Sequence, residues 1–195
     1  TDESFQATLL LMADFDNTTR AQNTWEYLAN SGLADFKNIS FGEGYYASEN
    51  KLRNVSAIIY AGDLGYEFYQ ENGSRFSNFL DRLSPLSSRI PFMSSGGNHE
   101  DNFNYSFYDE RFRFPEFLRT NNRYYSFNIG GIHLININLH FFNNGFSNNT
   151  DPIALQNMLD WIEEDLKQAN TEENRAKRPW IAVYGHKPIY CATLG

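Results

Sequence analysis

Six polar side chains follow short apolar runs in this sequence, and most of them belong to the residue types that bind metal ions. They are Asp14, Asp63, Tyr66, Asn98, His99 and His186. Carboxylate, phenol and amide oxygens with imidazole nitrogen suit harder ions than the thiolate sets of structural zinc sites. Such groups would be costly to bury together without a cation. The set therefore predicts an oxygen-rich metal site.

Each of these residues, taken alone, also has a structural explanation. Asp63 and Asn98 each follow a glycine in an ordinary turn dipeptide, and Asp14 could cap the helix that follows it. Tyr66 could be a core aromatic, and His186 could be a histidine that is satisfied within the fold. The metal site is predicted from the set, because any single match of this kind is weak.

Four apolar runs end at these residues and predict the strands that position them. The runs are "TLLLMADFD", "SAIIYAGD", "IPFMSSGGN" and "PWIAVYGH". Short apolar runs bounded by turn residues are typical of buried strands in a sheet that is covered on both faces. In an open α/β sheet, ligands bind beyond the carboxyl ends of the strands. The polar residues at these ends are therefore expected at one edge of a sheet.

Helical periodicity separates the first three predicted strands. The segments "TTRAQNTWEYLANSG" and "GSRFSNFLDRLSPL" predict crossover helices, so these strands should form a parallel βαβαβ core. The run "RYYSFNIGGIHLININL" predicts an antiparallel hairpin that turns at Gly130-Gly131. A further helix is predicted over residues 151–169, with Asp151 as its N-cap and Pro152 in its first turn.

Composition and charge restrict the classes of protein to consider. The 195 residues, of which 41% are hydrophobic, fit one globular domain spanning residues 1–195. A net charge of -8 without a basic run argues against a nucleic-acid binder. The longest apolar run near the start, "ATLLLMA", is too short for a membrane span and lacks the basic residues that precede a signal peptide's core.

The motif series "ADFD", "GDLGY", "GNHE" and "GHKP" resembles that of the purple acid phosphatases, within the calcineurin-like metallophosphoesterases. The segments "RYYSFNIGGIHLININ" and "RPWIAVYGHKPIYC" resemble the same family, so the similarity runs from about Leu9 to Cys191. Tyr66 is the most discriminating residue, because most other calcineurin-like enzymes lack it. The resemblance implies an α/β fold: a β-sandwich flanked by helices, of which this chain is the N-terminal part.

The resemblance also implies a role for each candidate ligand. Asp63 would bridge two metal ions, while Asp14 and Tyr66 would bind a ferric ion. Asn98 and His186 would bind a divalent ion, which is iron, zinc or manganese. A hard trivalent ion favours anionic oxygen donors, which fits the phenolate of Tyr66. The implied cofactor is a binuclear Fe(III)-M(II) centre.

The implied reaction is the hydrolysis of a phosphate monoester by water that the two metals activate, with an acidic optimum. His99 would contact the phosphate or the leaving group; equally, it could hydrogen-bond within its loop. Glu100 and Asp101 are interpreted as solvated loop charges, and His133 and His140 as ordinary strand or edge residues.

Two departures from the family pattern affect these expectations. Ala13 precedes Asp14, and Asp16 stands where a glycine is usual. The family's Gly-His-x-His motif, which gives one histidine to each metal, is missing before Gly195, so the fold is expected to be incomplete at the C-terminus. Three explanations are open: a truncated chain, a processed chain held to a C-terminal partner fragment, or a protein that kept the fold without catalysis. An oligomer is also open.

Asparagine sequons and the single cysteine bear on localisation. The sequons begin at Asn17, Asn38, Asn54, Asn72, Asn104 and Asn148. Chance alone generates several in an asparagine-rich chain, but all lie in or beside predicted loops, where a glycan could be solvated. We expect a secreted, cell-surface or lysosome-like protein. Cys191 is the only cysteine, and by the resemblance it pairs with a cysteine further along the chain.

Three functions remain in competition at this stage. The first is an acid phosphatase acting on monoesters. The second is a catalytically inactive surface or assembly protein that retains the fold, because fold does not guarantee function. The third is an enzyme for phosphodiesters or nucleotides, against which Tyr66 argues, because the ferric phenolate belongs to the purple acid phosphatases.

Overall fold

The computed structural model describes residues 7–14, 55–142 and 151–188, together with Thr24 and Leu28. Thr24 and Leu28, which belong to the first predicted crossover helix, are both helical, and Leu28 is buried. The remainder of that predicted helix lies outside the described residues.

The first sheet is parallel, as the alternation of strands and helices predicts. Strands β1 (Thr8–Met12), β2 (Val55–Tyr60) and β3 (Phe92–Ser94) pair in the order β1-β2-β3. Helix α1 (Ser74–Ser87) connects β2 to β3. All three strands therefore direct their carboxyl ends to the same edge, where the candidate ligands follow.

The second sheet holds the predicted hairpin and the fourth apolar run. Strands β4 (Tyr125–Ile129) and β5 (Ile132–Asn136) are antiparallel and turn at Gly130, whose φ is 53°. Strand β6 (Trp180–Tyr184) pairs in parallel with β5. The prediction that this run is a buried strand is wrong for the described part of the chain, because β6 lies at the edge of its sheet and three of its five residues are exposed.

Helices flank the two sheets. They are α2 (Ser106–Arg111), α3 (Phe117–Thr120), α4 (Pro152–Ala169) and α5 (Glu172–Lys177), with 3-10 turns at Gln70–Gly73 and Leu139–Phe141. The helix predicted over residues 151–169 is confirmed, and Asp151 caps it by accepting hydrogen bonds from Ile153 N at 3.0 Å and Ala154 N at 2.9 Å. None of the described helices has the length and apolar character of a membrane span.

The core is a sandwich, because alternate residues of β2 face opposite sides. Ala57 and Ile59 pack against Leu134 of the second sheet. Ile58 and Tyr60 point the other way, into a cluster with Phe76, Phe79 and Leu83 of α1. On the outer side of the second sheet, Met158 and Trp161 of α4 cover Ile135 and Ile137. This layering confirms the predicted α/β sandwich flanked by helices.

A buried hydroxyl group ties the two sheets together near the ligand edge. Tyr125 Oη donates to the carbonyl oxygen of Ser94, at 2.8 Å, and lies 2.9 Å from Tyr184 Oη. Burial raises the pKa of Tyr125 well above its usual value, so the phenol stays protonated and able to donate. The bridge places the end of β6 beside the end of β3.

Candidate metal centre

The loop after β2 brings Asp63 to the centre of the candidate site. Gly62 has φ of 86°, and a Cβ on it would lie 2.7 Å from Nδ1 of His186, so only glycine fits beneath that ring. Asp63 is itself left-handed, with φ of 55°, and its side chain is buried. The turn that follows the apolar strand thus aims one carboxylate inward.

The loop after β3 packs directly against Asp63. A Cβ on Gly97 would lie 2.2 Å from Asp63 Oδ1, which excludes any side chain at this position. The backbone N–H of His99 donates to the same oxygen at 3.1 Å. This close approach brings Asn98 and His99, from the motif "GNHE", to the edge where Asp63 lies.

Glu100 connects the loop after β2 to the loop after β3. Its interpretation as a solvated loop charge is therefore wrong. Its side chain accepts hydrogen bonds from the backbone N–H groups of Asp63 (2.8 Å), Leu64 (2.8 Å) and Gly97 (2.7 Å). These three donors compensate for burial, which leaves the residue only 2% exposed. Burial and then the charge of Asp63 raise the pKa of Glu100 to about 8, against the three donors. Asp101, by contrast, is partly exposed.

His186 arrives from the second sheet, immediately after β6. Its Nδ1 lies 2.8 Å from the carbonyl oxygen of Ala61, which can only accept, so Nδ1 carries a proton. Its Nε2 lies 3.1 Å from Asn98 Oδ1 and 3.4 Å from Asp63 Oδ1. A histidine that donates one nitrogen to a backbone carbonyl and directs the other at oxygen ligands has the arrangement of a metal ligand.

The predicted ligands converge on one point. Ligand atoms of Asp14, Asp63 and His186 all lie within 4.8 Å of one another. Tyr66 joins them, because its hydroxyl donates to Asp14 Oδ1 at 3.2 Å. Asn98 reaches the group through its contact with His186. Several oxygens face one imidazole nitrogen here, and such a donor set fits a hard or borderline cation that separates them.

His99 has the loop hydrogen bond that was one of the two roles left open by the sequence, and its contact with the phosphate or the leaving group stays a prediction. Its Nδ1 lies 2.8 Å from Glu67 Oε1, a hydrogen bond within the site loops. Its Nε2 points towards the centre, 3.7 Å from Asp63 Oδ2. Its ring also packs on Tyr66, with a centroid separation of 4.4 Å. Sequence reasoning missed Glu67, although its position directly after Tyr66 was a usable signal.

The two remaining histidines differ from each other. His133 lies on β5 and is structural, as predicted: its ring nitrogens lie 2.7 Å from Asn128 Oδ1 and 2.7 Å from Asp165 Oδ2. The predicted strand or edge position of His140 is wrong, because His140 lies buried in a 3-10 turn with its ring stacked 5.8 Å from that of His186. Burial, helped by the charges of Lys187 and His186, lowers the pKa of His140 to about 3.

Several predicted features fall outside the described residues. They are Asp16, Cys191 and the sequons at Asn17, Asn38, Asn54 and Asn148. The other two sequon asparagines, Asn72 and Asn104, are both exposed.

Known proteins resemble this chain in sequence and in fold. The sequence profile of the calcineurin-like phosphoesterase family matches residues 22–194. Acid phosphatase type 7 of Danio rerio is 34% identical over 144 residues, which cover 74% of this chain and 32% of that protein. The human protein of the same name is 33% identical over 136 residues, which cover 70% of this chain and 30% of the human protein. Probable purple acid phosphatase 20 of Arabidopsis thaliana is 30% identical over 158 residues, covering 73% and 33%.

Solved structures agree on the fold. Purple acid phosphatase PPD1 from yellow lupin (Lupinus luteus) superposes with a TM-score of 0.60 at 16% identity, covering 91% of this chain and 30% of that one. A dimetal phosphatase from Danio rerio gives 0.51 at 12% identity, covering 94% and 70%. The chain spans about a third of the length of the curated relatives it matches. It belongs to the calcineurin-like phosphoesterase family, and its relatives there are purple acid phosphatases and acid phosphatase type 7.

Proposed function

We propose that these residues form part of a metal-dependent acid phosphatase that hydrolyses phosphate monoesters. The observation that carries the proposal is the convergence of Asp14, Asp63 and His186, whose ligand atoms lie within 4.8 Å of one another. Side chains from two different sheets meet here, and His186 has its other nitrogen fixed by a carbonyl. The names of the sequence relatives support phosphatase chemistry at such a centre.

The contacts suggest how two ions would be held. Asp14 and Tyr66, which touch at 3.2 Å, would bind a ferric ion. Asn98 and His186, which touch at 3.1 Å, would bind a divalent iron, zinc or manganese ion. Asp63 would bridge the two ions. Bound metals would neutralise the phosphate's charge and lower the pKa of a water molecule that attacks it.

His99 is the residue of this chain that we place against the substrate. Glu67 holds its Nδ1 at 2.8 Å, which fixes the plane of the ring. The ring contact with Tyr66 limits its rotation further. Its Nε2 therefore points towards Asp63, at the edge where the phosphate would bind, and from there it can hydrogen-bond a phosphate oxygen or the leaving oxygen.

The visible spectrum of the full-length protein tests the centre directly. We would add iron under mild oxidation and compare the wild type with Tyr66→Phe. A ferric phenolate gives a broad visible band, which Tyr66→Phe should abolish. Tyr69→Phe is the matched control, because Tyr69 lies in the same loop but contacts Glu67 instead of Asp14. Its band should remain.

A colourless wild type that takes up no iron would contradict the proposed centre. The inactive surface or assembly protein would then be the better description. Iron uptake with an unchanged band in Tyr66→Phe would contradict only the assignment of Tyr66.

Substrate class is tested by comparing a phosphate monoester with a diester under identical conditions. The proposal expects hydrolysis of the monoester at acidic pH to be the faster reaction. Asp63→Asn should abolish it, because the bridging position would lose its charge while the side chain keeps its shape. A preference for the diester would favour the third function instead.

We also propose that the protein enters the secretory pathway and carries glycans at Asn72 and Asn104. Both residues are exposed, so an attached glycan would be solvated. Mass spectrometry of the native protein, before and after enzymatic deglycosylation, measures the occupancy at each sequon. Unmodified asparagine at all of them would remove this support for secretion.

A further inference from the structure

Two exposed aromatic side chains lie side by side near the candidate metal centre. Phe103, which is 65% exposed, packs edge-on against Tyr69, which is 37% exposed, with their ring centroids 5.4 Å apart. Phe107 also packs edge-on against Phe103, with their ring centroids 6.0 Å apart. Large apolar side chains grouped on a surface loop often mark a binding surface.

A chain of contacts connects this pair to the candidate centre. Tyr69 lies beside Glu67, and its side chain is the largest influence that lowers the pKa of the Glu67 carboxylate. Glu67 in turn lies 2.8 Å from Nδ1 of His99, whose Nε2 lies 3.7 Å from Asp63 Oδ2. Glu67 therefore connects the aromatic pair to the His99 ring that we place against the phosphate.

The backbone holds Phe103 outward. Phe103, Asn104 and Tyr105 are all left-handed, with φ of 54°, 53° and 61°, a conformation that bulky L-residues rarely adopt. Tyr105 anchors the segment from inside: Asn138 Nδ2 donates to its hydroxyl at 3.1 Å, and the guanidinium of Arg123 lies 3.8 Å from its ring centroid. Strain of this kind persists where the surroundings impose it, and it clusters at ligand sites.

We propose that Tyr69 and Phe103 form a platform for an aromatic ring on the substrate's leaving group. The inference rests on the proposed phosphatase function and gives it a substrate class: phosphate monoesters of alcohols that carry an aromatic ring. Hydrolysis breaks the P–O bond, so the ring departs with the alcohol while phosphate gains the oxygen of water. Rings that pack edge-on or offset gain more than their buried area provides.

The test compares two substrates that differ only in the ring. In 2-phenylethyl phosphate the ring is aromatic, and in 2-cyclohexylethyl phosphate it is saturated, so the leaving alcohols are closely matched in reactivity. We expect the full-length protein to favour the phenyl compound by about 3- to 10-fold in kcat/KM. Phe103→Leu should bring this ratio close to one, and Phe103→Tyr should preserve it.

Leu118→Ala is the control variant. It removes another exposed apolar side chain, 96% exposed on α3 and outside the contacts described above, so the ratio should stay as in the wild type. Binding of the matching phosphonates, measured by calorimetry, gives a second readout that requires no turnover. The dissociation constants should show the same preference, and the same loss in Phe103→Leu.

The outcomes separate the platform from the function on which it rests. Hydrolysis of both compounds with a ratio that Phe103→Leu leaves unchanged would overturn the platform and leave the phosphatase standing. The next question would then be whether a glycan on Asn104 covers the exposed ring of Phe103. If neither compound is hydrolysed, the phosphatase fails, and phosphonate binding without a phenyl preference would overturn the platform as well.

Discussion

Replacing Glu100 by alanine tests whether one buried carboxyl group holds the two ligand loops together. The side chain accepts from three backbone N–H groups, those of Asp63, Leu64 and Gly97. Alanine leaves all three donors without their acceptor. Each buried donor without a partner costs about 1 to 3 kcal/mol, so the free energy of unfolding should fall by at least about 3 kcal/mol.

Glu100→Gln should remove only part of this stabilisation. The amide oxygen, placed where Oε2 lies, still accepts from Asp63 and Gly97. The amide nitrogen faces the N–H of Leu64, which then has no acceptor. One lost partner predicts a decrease of about 1 to 3 kcal/mol, between the wild type and Glu100→Ala.

Urea unfolding of the full-length protein, with and without a chelator, measures both decreases. Glu110→Ala is the control: this glutamate pairs with Arg111 on the surface, and exposed pairs contribute only about 0 to 1 kcal/mol. Equal effects of Glu100→Ala and Glu110→Ala would refute the reasoning. A larger effect of Glu100→Gln than of Glu100→Ala would refute the count of acceptors.

Further predictions concern the protonation of Glu100, the packing of Gly97 and the burial of Met158. In the metal-free protein, the contribution of Glu100 to stability is complete below pH 4.5 and is lost as pH rises towards 8, because burial disfavours its charged form. Urea unfolding at several pH values should show the free energy of unfolding falling over this range, and Glu100→Gln should not show this fall. Gly97→Ala should displace Asp63, because the added Cβ would lie 2.2 Å from Asp63 Oδ1. Metal affinity, measured by competition titration, should then fall about 10- to 100-fold, and an unchanged affinity would contradict this packing. Met158→Ala leaves a cavity at a fully buried position, so the free energy of unfolding, measured by thermal unfolding, should fall by about 2 to 5 kcal/mol. Ile153→Ala should change it little, because Ile153 is exposed.

The sequence predicted the residues that follow strands better than the contacts between loops. Asp63 and His186 could be found because each comes directly after an apolar run and a glycine, which is a local signal. Glu100 resembled a solvated charge, because two of its three donors lie 36 or 37 positions earlier in the chain. No local pattern reports a bond across that distance.

Strand pairing, too, could be predicted only where the partners are neighbours in the sequence. The antiparallel hairpin could be predicted because Gly130-Gly131 joins its strands within the sequence. The apolar run that becomes β6 gave a strand but not its partner, and the structure pairs it with β5 in the second sheet. His140 was misjudged for a related reason: the ring it stacks on belongs to His186, far along the chain.

The candidate centre takes its parts from both sheets, and this has a consequence for folding. Asp63 follows a strand of the first sheet, whereas His186 follows β6 in the second, and Nδ1 of His186 bonds to Ala61 across 125 positions. Any metal contact that uses both residues requires this long loop to close first, so under the proposed function a metal ion would bind after the sandwich has assembled. An ion bound there would hold the two sheets together, and it would raise the free energy of unfolding by an amount that grows with its affinity and its free concentration.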